Sequence, residues 1–431
     1  MAMAPRIELQ LTHPKSRLDG ITDVRFSNCV VTFHAARPLT CYLVIKSMAP
    51  LHLESASNAE AKLRPGWDGT LGRACYGLEL KVAAAGEVTA RMDAEPAPTQ
   101  VATASATEIN DFLMRLRERP SRFPDSPGEF VRWRAAYRLK LASLLMNGGM
   151  PPRVPLEAKL LGEENRKRYR LQTIQYRSHK DQTNVALLSL PRDTPRAPLL
   201  LALHGHEAEW GKADIRAFQT GQVDDFCAWF AERGWAVLQP PTMNHLLQHQ
   251  GWTLIGEWAW DAMTALDYAT GLAEVDAGRI ATCGLSTGAH IAMTVLALDD
   301  RVRAGVVACI LSTWHHTRTR LRIPPSCECG ISFQLADHLE QCDWAALAAA
   351  KPVQFQFGKL DAVFCPGADP SLVNLDWHKG VMPQAEYDAV FAEIERAYKL
   401  CGNNDRVTTH YHPGEHRVDN QAAWDWISRW V

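Results

Sequence analysis

The sequence predicts an α/β protein whose mostly parallel sheet is flanked by helices and preceded by a small β-sandwich-like unit. From about residue 170 onward, apolar strand-like segments alternate with helical segments of roughly 10–20 residues. Such alternation is typical of right-handed βαβ units, which assemble into a parallel sheet. Before residue 100, short segments with strand-like alternation and poor helical periodicity indicate a separate β-rich unit.

The N-terminal unit is predicted from five strand-like segments. They span residues 6–11, 23–33, 39–45, 76–82 and 87–92. The stretch 64–69 (RPGWDG) is predicted to be a turn, and the Ala/Pro/Thr-rich stretch 93–107 a linker. We therefore divide the chain into an N-terminal unit (1–100), a linker with lead-in (101–127) and an α/β unit (128–431).

The α/β unit is predicted to begin with a helix at 128–147 and a hairpin at 170–176 and 185–190. Six further strands are expected, at 199–203, 236–239, 280–284, 304–311, 353–357 and 407–411. Helices are expected between and after them, at 216–233, 255–273, 287–298, 384–400 and 421–430. In such a sheet the active groups gather beyond the carboxyl ends of the strands.

Composition excludes several kinds of partner. The net charge of −2 gives no electrostatic case for nucleic acid or an anionic membrane. No apolar run approaches the ~20 residues that a membrane-spanning helix needs. The N-terminal stretch MAMAPRIELQLTHP lacks the basic start and apolar core of a signal peptide, so a cytoplasmic location is expected. A secreted protein whose signal had been removed would look the same.

The cysteines favour reduced, buried thiols over a disulfide framework. There are 11 of them, an odd number, and several (Cys283, Cys309) lie inside apolar strand-like runs. Cys327 and Cys329 are too close together for the usual CxxC spacing of zinc or redox sites, and we interpret them as loop thiols. No metal and no organic cofactor is expected.

The stretch GLSTG at 284–288 puts Ser286 between a strand-like and a helical run. A nucleophile at such a turn forces strand and helix together, so only small residues fit at the two flanking positions. Its hydroxyl would lie near the positive end of a helix dipole. The alternative is a glycine-rich turn in which the serine caps the helix. The strand–turn–helix context favours a nucleophile.

An acyl-transfer site also needs an oxyanion hole. One donor would be the backbone N–H of Thr287, the residue after the nucleophile. The second would come from the loop HGH at 204–206, which follows an apolar strand, and His206 is the best candidate. His204 and His206 could instead be ordinary polar loop residues or a metal pair.

The acid and the base should follow the nucleophile in the order Ser, Asp/Glu, His. Asp361 lies just past the predicted strand 353–357, with Asp369 as a weaker competitor in the same loop. His416 lies in the loop before the last helix, with His410 and His412 as rivals. His410 falls inside the last strand and His412 at its end, so we favour His416.

Residues 125–431 resemble the α/β-hydrolase superfamily, in particular its dienelactone hydrolase and acetyl xylan esterase-like branch. The resemblance rests on HGHE (204–207), WDAMTALDYATGLAEVDAGRIATCGLSTG (260–288), LSTWHH (311–316), GKLDAVF (358–364) and HPGEHRVDNQAAWDWISRW (412–430). It implies Ser286 as nucleophile, Asp361 as acid, His416 as base, and His206 with Thr287 as oxyanion donors. Two departures are Thr287, where Met is common, and Glu415, where Gly is common.

Tryptophans are abundant around the predicted site. The four predicted to form aromatic pocket walls are Trp210, Trp252, Trp258 and Trp314. The alternative is that they pack in the core. Flat aromatic walls would suit sugar or aromatic acyl groups.

The sequence therefore predicts a serine carboxylesterase that acts on a small-molecule ester through an acyl-enzyme, with acetylated or aromatic-acylated carbohydrates as a substrate class. A peptidase, acyltransferase or thioesterase would use the same three residues, and a non-catalytic hydrolase-fold binding protein is the alternative of another class. The N-terminal unit would restrict substrate access or offer a surface to a second copy of the chain.

Overall fold

The computed structural model describes most of the chain. The described ranges are 7–10, 21–27, 29–47, 51–68, 73–94, 121–180, 182–205, 226–240, 252–319, 333–361, 365–367 and 382–431. None of the helices within these ranges is long and apolar enough to cross a membrane.

The N-terminal unit consists of two four-stranded antiparallel sheets. Its strands are β1 (Ile7–Gln10), β2 (Ile21–Ser27), β3 (Val30–Ala35), β4 (Leu39–Ser47), β5 (Leu51–Ser57), β6 (Ala59–Asp68), β7 (Arg73–Val82) and β8 (Gly86–Ala94). One sheet has the order β1-β4-β7-β6 and the other β2-β3-β8-β5. Buried side chains from both sheets, including Phe33 and Val88 from one and Leu78 and Leu80 from the other, form a single core. This is the predicted sandwich-like arrangement.

Two predictions within this unit are wrong in detail. The predicted single strand 23–33 is a hairpin, β2 and β3, with Cys29 (φ 61°) between them. The predicted turn at 64–69 instead belongs largely to β6, although it contains Pro65 and Gly66. β6 is an edge strand, where a proline does not interrupt a ladder on both sides. Most of the predicted linker lies in 95–120, outside the described residues, so the division into units remains a prediction.

The α/β unit is built on a nine-stranded sheet. The strands are β9 (Lys159–Asn165), β10 (Tyr169–His179), β11 (Gln182–Pro191), β12 (Ala197–Leu203), β13 (Ala236–Gln239), β14 (Val275–Leu285), β15 (Val302–Ala308), β16 (Val353–Gly358) and β17 (Val407–His412). Their order is β17-β16-β15-β14-β12-β13-β11-β10-β9. The six strands from β17 to β13 are parallel and the other three antiparallel. The predicted mostly parallel sheet is confirmed; β9 was not predicted.

Helices flank this sheet. They are α1 (Pro127–Leu145), α2 (Phe226–Ala231), α3 (Leu254–Ala269), α4 (Thr287–Leu298), α5 (Trp314–Thr319), α6 (Phe333–His338), α7 (Gln341–Ala346), α8 (Gln384–Leu400) and α9 (Asn420–Ser428). Every residue of α4 is buried, which explains its almost uninterrupted apolar sequence. The predicted helix 216–233 is described only from Phe226, and α5 to α7 were not predicted.

The sheet brings the predicted site residues to one edge. Parallel strands β12, β14, β15, β16 and β17 are neighbours, so their carboxyl ends lie side by side. His204, Ser286 and Cys309 directly follow their strands, Asp361 lies three residues past the end of β16, and His416 lies four residues past the end of β17.

Candidate active site

Ser286 lies at a strained turn between β14 and α4. Its backbone angles are φ 56° and ψ −121°, a conformation that costs free energy in a non-glycine residue. Its N–H donates to the carbonyl of Ala308 (2.8 Å), at the end of the neighbouring β15. A Cβ at Gly284 would lie 2.2 Å from the Gly288 carbonyl oxygen, and one at Gly288 would lie 2.1 Å from that of Leu203. The two glycines therefore meet the steric requirement expected of them.

The side chain of Ser286 does not cap the helix it precedes. It makes no capping hydrogen bond, although it is the residue before α4. The chain caps other helices in the ordinary way: Thr253 accepts from the backbone N–H of Gly256, and Asp419 from that of Ala422. The N-cap alternative therefore does not account for Ser286, which is half-buried at the edge of the sheet.

Asp361 and His416 form a hydrogen-bonded pair. The distance between His416 Nδ1 and Asp361 Oδ2 is 2.8 Å. The Asp361 side chain is fully buried, whereas that of His416 is 35% exposed. With Nδ1–H donating to the carboxylate, Nε2 is the nitrogen left to accept a proton. The pair has the arrangement of an acid that orients a general base.

The loop that carries His416 is held against the end of β16. The Lys359 N–H donates to the carbonyl of His412 (2.8 Å), and the Leu360 N–H to that of Gly414 (3.0 Å). A Cβ at Gly358 would lie 2.0 Å from the carbonyl oxygen of Glu415. Only a glycine lets this loop come so close, and the close contact fixes His416 beside Asp361.

The two rival histidines have other partners. His412 is buried; its Nδ1 accepts from the N–H of Gly414 (3.1 Å) and its Nε2 donates to the carbonyl of Arg417 (3.1 Å). Burial lowers the pKa of His412, which suits this neutral tautomer. His410 Nε2 pairs with Asp419 (2.9 Å). Neither residue pairs with Asp361 in the described structure, and this favours the choice of His416.

The oxyanion donors are described in part. Thr287 is the buried first residue of α4, directly after Ser286. Gly205 packs under the serine: a Cβ there would lie 3.1 Å from Ser286 Cβ. His206 lies outside the described residues. His204 is buried, with its Nδ1 2.9 Å from the Gly205 carbonyl oxygen, so it supports the loop and is not a solvent-facing polar residue.

The predicted tryptophan walls are not found where the structure describes them. Trp258 and Trp314 are 2% and 0% exposed and belong to the main hydrophobic core; Trp252 is also buried there, at 7%. These three tryptophans therefore fit the alternative interpretation, in which they pack in the core. Trp210 lies outside the described residues, as do Asp369 and the Cys327–Cys329 pair.

Trp314 nevertheless helps to fix the loop that follows β15. Its N–H donates to the buried carboxylate of Glu340 (2.8 Å), and its indole N–H to the carbonyl of Leu339 (2.6 Å). The N–H of Ser312 donates to the side-chain oxygen of Gln341 (3.0 Å). These hydrogen bonds therefore hold the LSTWHH stretch, which runs from the loop after β15 into α5.

Cys309 is a member of the site that sequence reasoning missed. Its Sγ, an Asp361 carboxylate oxygen and a His416 ring nitrogen all lie within 4.8 Å of one another. Burial, followed by the Asp361 charge and the hydrogen bond to it, raises the pKa of the Cys309 thiol well above its usual value. The predicted strand 304–311 contains Cys309, whereas β15 ends at Ala308, so no sequence signal set this thiol apart from a core residue.

Comparison with known proteins gives the fold. No family model matches the chain. A curated candidate hydrolase, YtaP of Bacillus subtilis (strain 168), is 26% identical over 289 residues, 63% of this chain and 90% of that protein. A candidate acetyl xylan esterase from Bacteroides fragilis NCTC 9343 is structurally similar, with a TM-score of 0.54, 15% identity, and coverage of 76% of this chain and 91% of that one.

A glucuronoyl esterase from Solibacter usitatus is also structurally similar. Its TM-score is 0.53 at 13% identity, and the match covers 72% of this chain and 99% of that chain. At identities this low, the structural similarity is evidence for the fold alone. Together with the sheet order and the turn at Ser286, they show that the chain has the α/β-hydrolase fold.

Proposed function

We propose that the protein is a serine carboxylesterase in which Ser286, Asp361 and His416 form the catalytic triad. The observation that carries this proposal is the 2.8 Å pair between His416 and the fully buried Asp361, which lies at the same edge of the sheet as the strained turn at Ser286. A buried carboxylate that holds one ring nitrogen of a partly exposed histidine leaves the other nitrogen for proton transfer.

The reaction proceeds in two steps. His416 Nε2 takes the proton of Ser286 Oγ as the oxygen attacks the ester carbonyl carbon, and the backbone N–H groups of Thr287 and His206 stabilise the oxyanion. The intermediate then collapses: the ester C–O bond breaks, and the alcohol leaves with the proton from His416. Water, deprotonated by His416, attacks the acyl-enzyme and releases the carboxylic acid and free Ser286.

The substrate class we infer is a small carbohydrate ester. Its support is the fold shared with proteins named as acetyl xylan and glucuronoyl esterases, and the curated relative named as a candidate hydrolase. The buried tryptophans do not add to this argument, because they do not line an exposed wall.

Two measurements test the proposal. The purified protein should hydrolyse p-nitrophenyl acetate, and Ser286→Ala should lose essentially all of this activity while keeping its circular dichroism spectrum. A panel of acetyl, feruloyl, methyl-uronate, lactone, thioester and peptide substrates then identifies the class. Turnover confined to thioesters or peptides would replace the esterase assignment, and a folded protein inactive on the whole panel would indicate a binding protein.

A further inference from the structure

Cys309 links the strand of the nucleophile to the strand of the acid. It directly follows β15, which lies between β14 and β16 in the sheet. Its N–H donates to the carbonyl of Gln356 on β16 (2.8 Å), and the preceding carbonyl, that of Ala308, accepts the N–H of Ser286. Its backbone has a positive φ of 59°, which is uncommon for a residue other than glycine. The chain therefore bends at Cys309, between the end of the strand that leads to Ser286 and the end of the strand that leads to Asp361.

The side chain of Cys309 lies beside the acid–base pair. Its Sγ lies within 4.8 Å of an Asp361 carboxylate oxygen and of a His416 ring nitrogen, and the charge of this carboxylate helps to raise the pKa of the thiol. Its Sγ also lies 3.6 Å from the carbonyl oxygen of Arg417, the residue after His416. The same carbonyl accepts from His412 Nε2, so two donors hold the backbone next to the base.

The thiol can act here as a donor and not as a nucleophile. It is fully buried, and burial together with the neighbouring carboxylate raises its pKa well above the usual value, so it stays protonated at neutral pH. Two oxygen acceptors lie near it, the Arg417 carbonyl at 3.6 Å and an Asp361 carboxylate oxygen within 4.8 Å. A weak S–H donor can serve either acceptor at little cost.

We propose that Cys309 is a positioning residue for the acid–base pair: its thiol fixes the orientation of the Asp361 carboxylate and holds the backbone beside His416. The expected effects on kcat and on the pH–rate profile rest on the proposed esterase function, whereas the expected change in the titration of His416 does not. Without the thiol, the carboxylate loses one donor, so it is freer to rotate and its charge is less dispersed. A less dispersed charge stabilises the protonated imidazole of His416 more strongly.

Three variants of the full chain test this. Cys309→Ala removes the donor, Cys309→Ser keeps a donor at the same place, and Cys283→Ala removes an equally buried thiol from β14 as a matched control. On p-nitrophenyl acetate, Cys309→Ala should lower kcat roughly tenfold, the size of one lost hydrogen bond, with KM within about twofold. The acid limb of its pH–rate profile should move to higher pH. Cys309→Ser should recover most of kcat, and Cys283→Ala should match the parent.

A readout independent of turnover separates this inference from the esterase proposal. The imidazole signals of His416, assigned by their loss in His416→Ala, can be titrated by NMR in each variant. Their midpoint should rise in Cys309→Ala and stay at the parent value in Cys283→Ala. An unchanged midpoint, or equal kcat losses in Cys309→Ser and Cys309→Ala, would overturn the positioning role. If the parent protein is inactive on esters but the His416 midpoint still rises in Cys309→Ala, only the esterase assignment is overturned.

Discussion

His412 and His416 lie four residues apart, and their hydrogen bonds give them different tasks. His416 holds one nitrogen on Asp361 and is 35% exposed, so its other nitrogen can reach a substrate. His412 is buried, and both of its nitrogens bond to the backbone of the loop that carries His416. We infer that His416 moves the proton and that His412 shapes the loop.

Substitution of each histidine should therefore have a different effect. His416→Ala should lower kcat/KM by about a thousandfold or more, as loss of a general base does. His412→Ala should cost about ten- to a hundredfold, because the loop loses two hydrogen bonds but keeps its base. Steady-state kinetics on p-nitrophenyl acetate measure both, with circular dichroism to verify folding. Equal losses in two folded variants would contradict the assignment of roles.

At the residue scale, the sequence predicts those site residues whose positions follow from the order of nucleophile, acid and base along the chain. Ser286, Asp361 and His416 each follow a predicted strand in the order expected of a hydrolase, and the structure places them at one edge of the sheet. Cys309 could not be found in this way, because a thiol in an apolar run looks the same whether it packs in the core or faces a carboxylate. The prediction of pocket walls at Trp252, Trp258 and Trp314 is wrong for a related reason: sequence spacing does not distinguish a pocket wall from a core face.

Strand β16 and the loop after β17 depend on each other at the element scale. Gly358 ends β16, and a Cβ there would lie 2.0 Å from the Glu415 carbonyl oxygen and 2.5 Å from that of Gly414. Both are backbone atoms, so a larger residue at 358 can be accommodated only by displacing the loop. Such a shift would move His416 away from Asp361 while leaving the remainder of the sheet in place.

Gly358→Ala should consequently lose about a hundredfold or more in kcat/KM, the cost expected for a misplacement of about 1 Å. Gly128→Ala is the matched control. It lies in the first turn of α1, where a Cβ would meet no neighbouring atom closer than 3.9 Å, so its activity should equal that of the parent. Near-parent activity in a folded Gly358→Ala protein would show that the loop tolerates the displacement.

Most elements of the α/β unit were predictable because their apolar residues follow the spacing of a strand or of a helix. β16, α4 and α8 begin within one residue of their predicted starts. The errors fall where the environment overrides local composition. In the N-terminal unit, Pro65 and Gly66 indicate a turn, yet the edge strand β6 accommodates them. In the nine-stranded sheet, β9 pairs as an edge strand although its sequence is polar. Whether such a segment forms a strand depends on the neighbouring strand with which it pairs, and that strand lies elsewhere in the sequence.

For the molecule as a whole, Asp343 joins the α/β core to the lead-in before α1. It is fully buried and accepts the N–H groups of Arg122 (2.7 Å) and Glu340 (2.9 Å). Burial raises the pKa of Asp343 to about 6. Because this folded-state pKa lies above the ordinary value of 3.8, the folded protein favours the protonated form. The stability from this group is fully present below pH 3.8 and is lost as the pH rises through 6.

Asp343→Asn should therefore flatten the dependence of the free energy of unfolding on pH between about 4 and 6.5, by on the order of 2 kcal/mol. Its overall stability should also fall, since an amide cannot accept both backbone hydrogen bonds equally well. Urea unfolding across this pH range measures the slope. Asp405→Asn, at an exposed carboxylate, is the control and should reproduce the parent's slope. If Asp343→Asn also reproduced it, Asp343 would not be the titrating group.

The central claim is that Ser286 is the covalent nucleophile activated by His416, and labelling with a fluorophosphonate tests it most directly. The account predicts one equivalent of label, located on the peptide containing Ser286 by mass spectrometry. Labelling should be lost in Ser286→Ala and strongly slowed in His416→Ala, which keeps the serine but lacks its base. Label on another serine, with ester hydrolysis retained in Ser286→Ala, would contradict the claim.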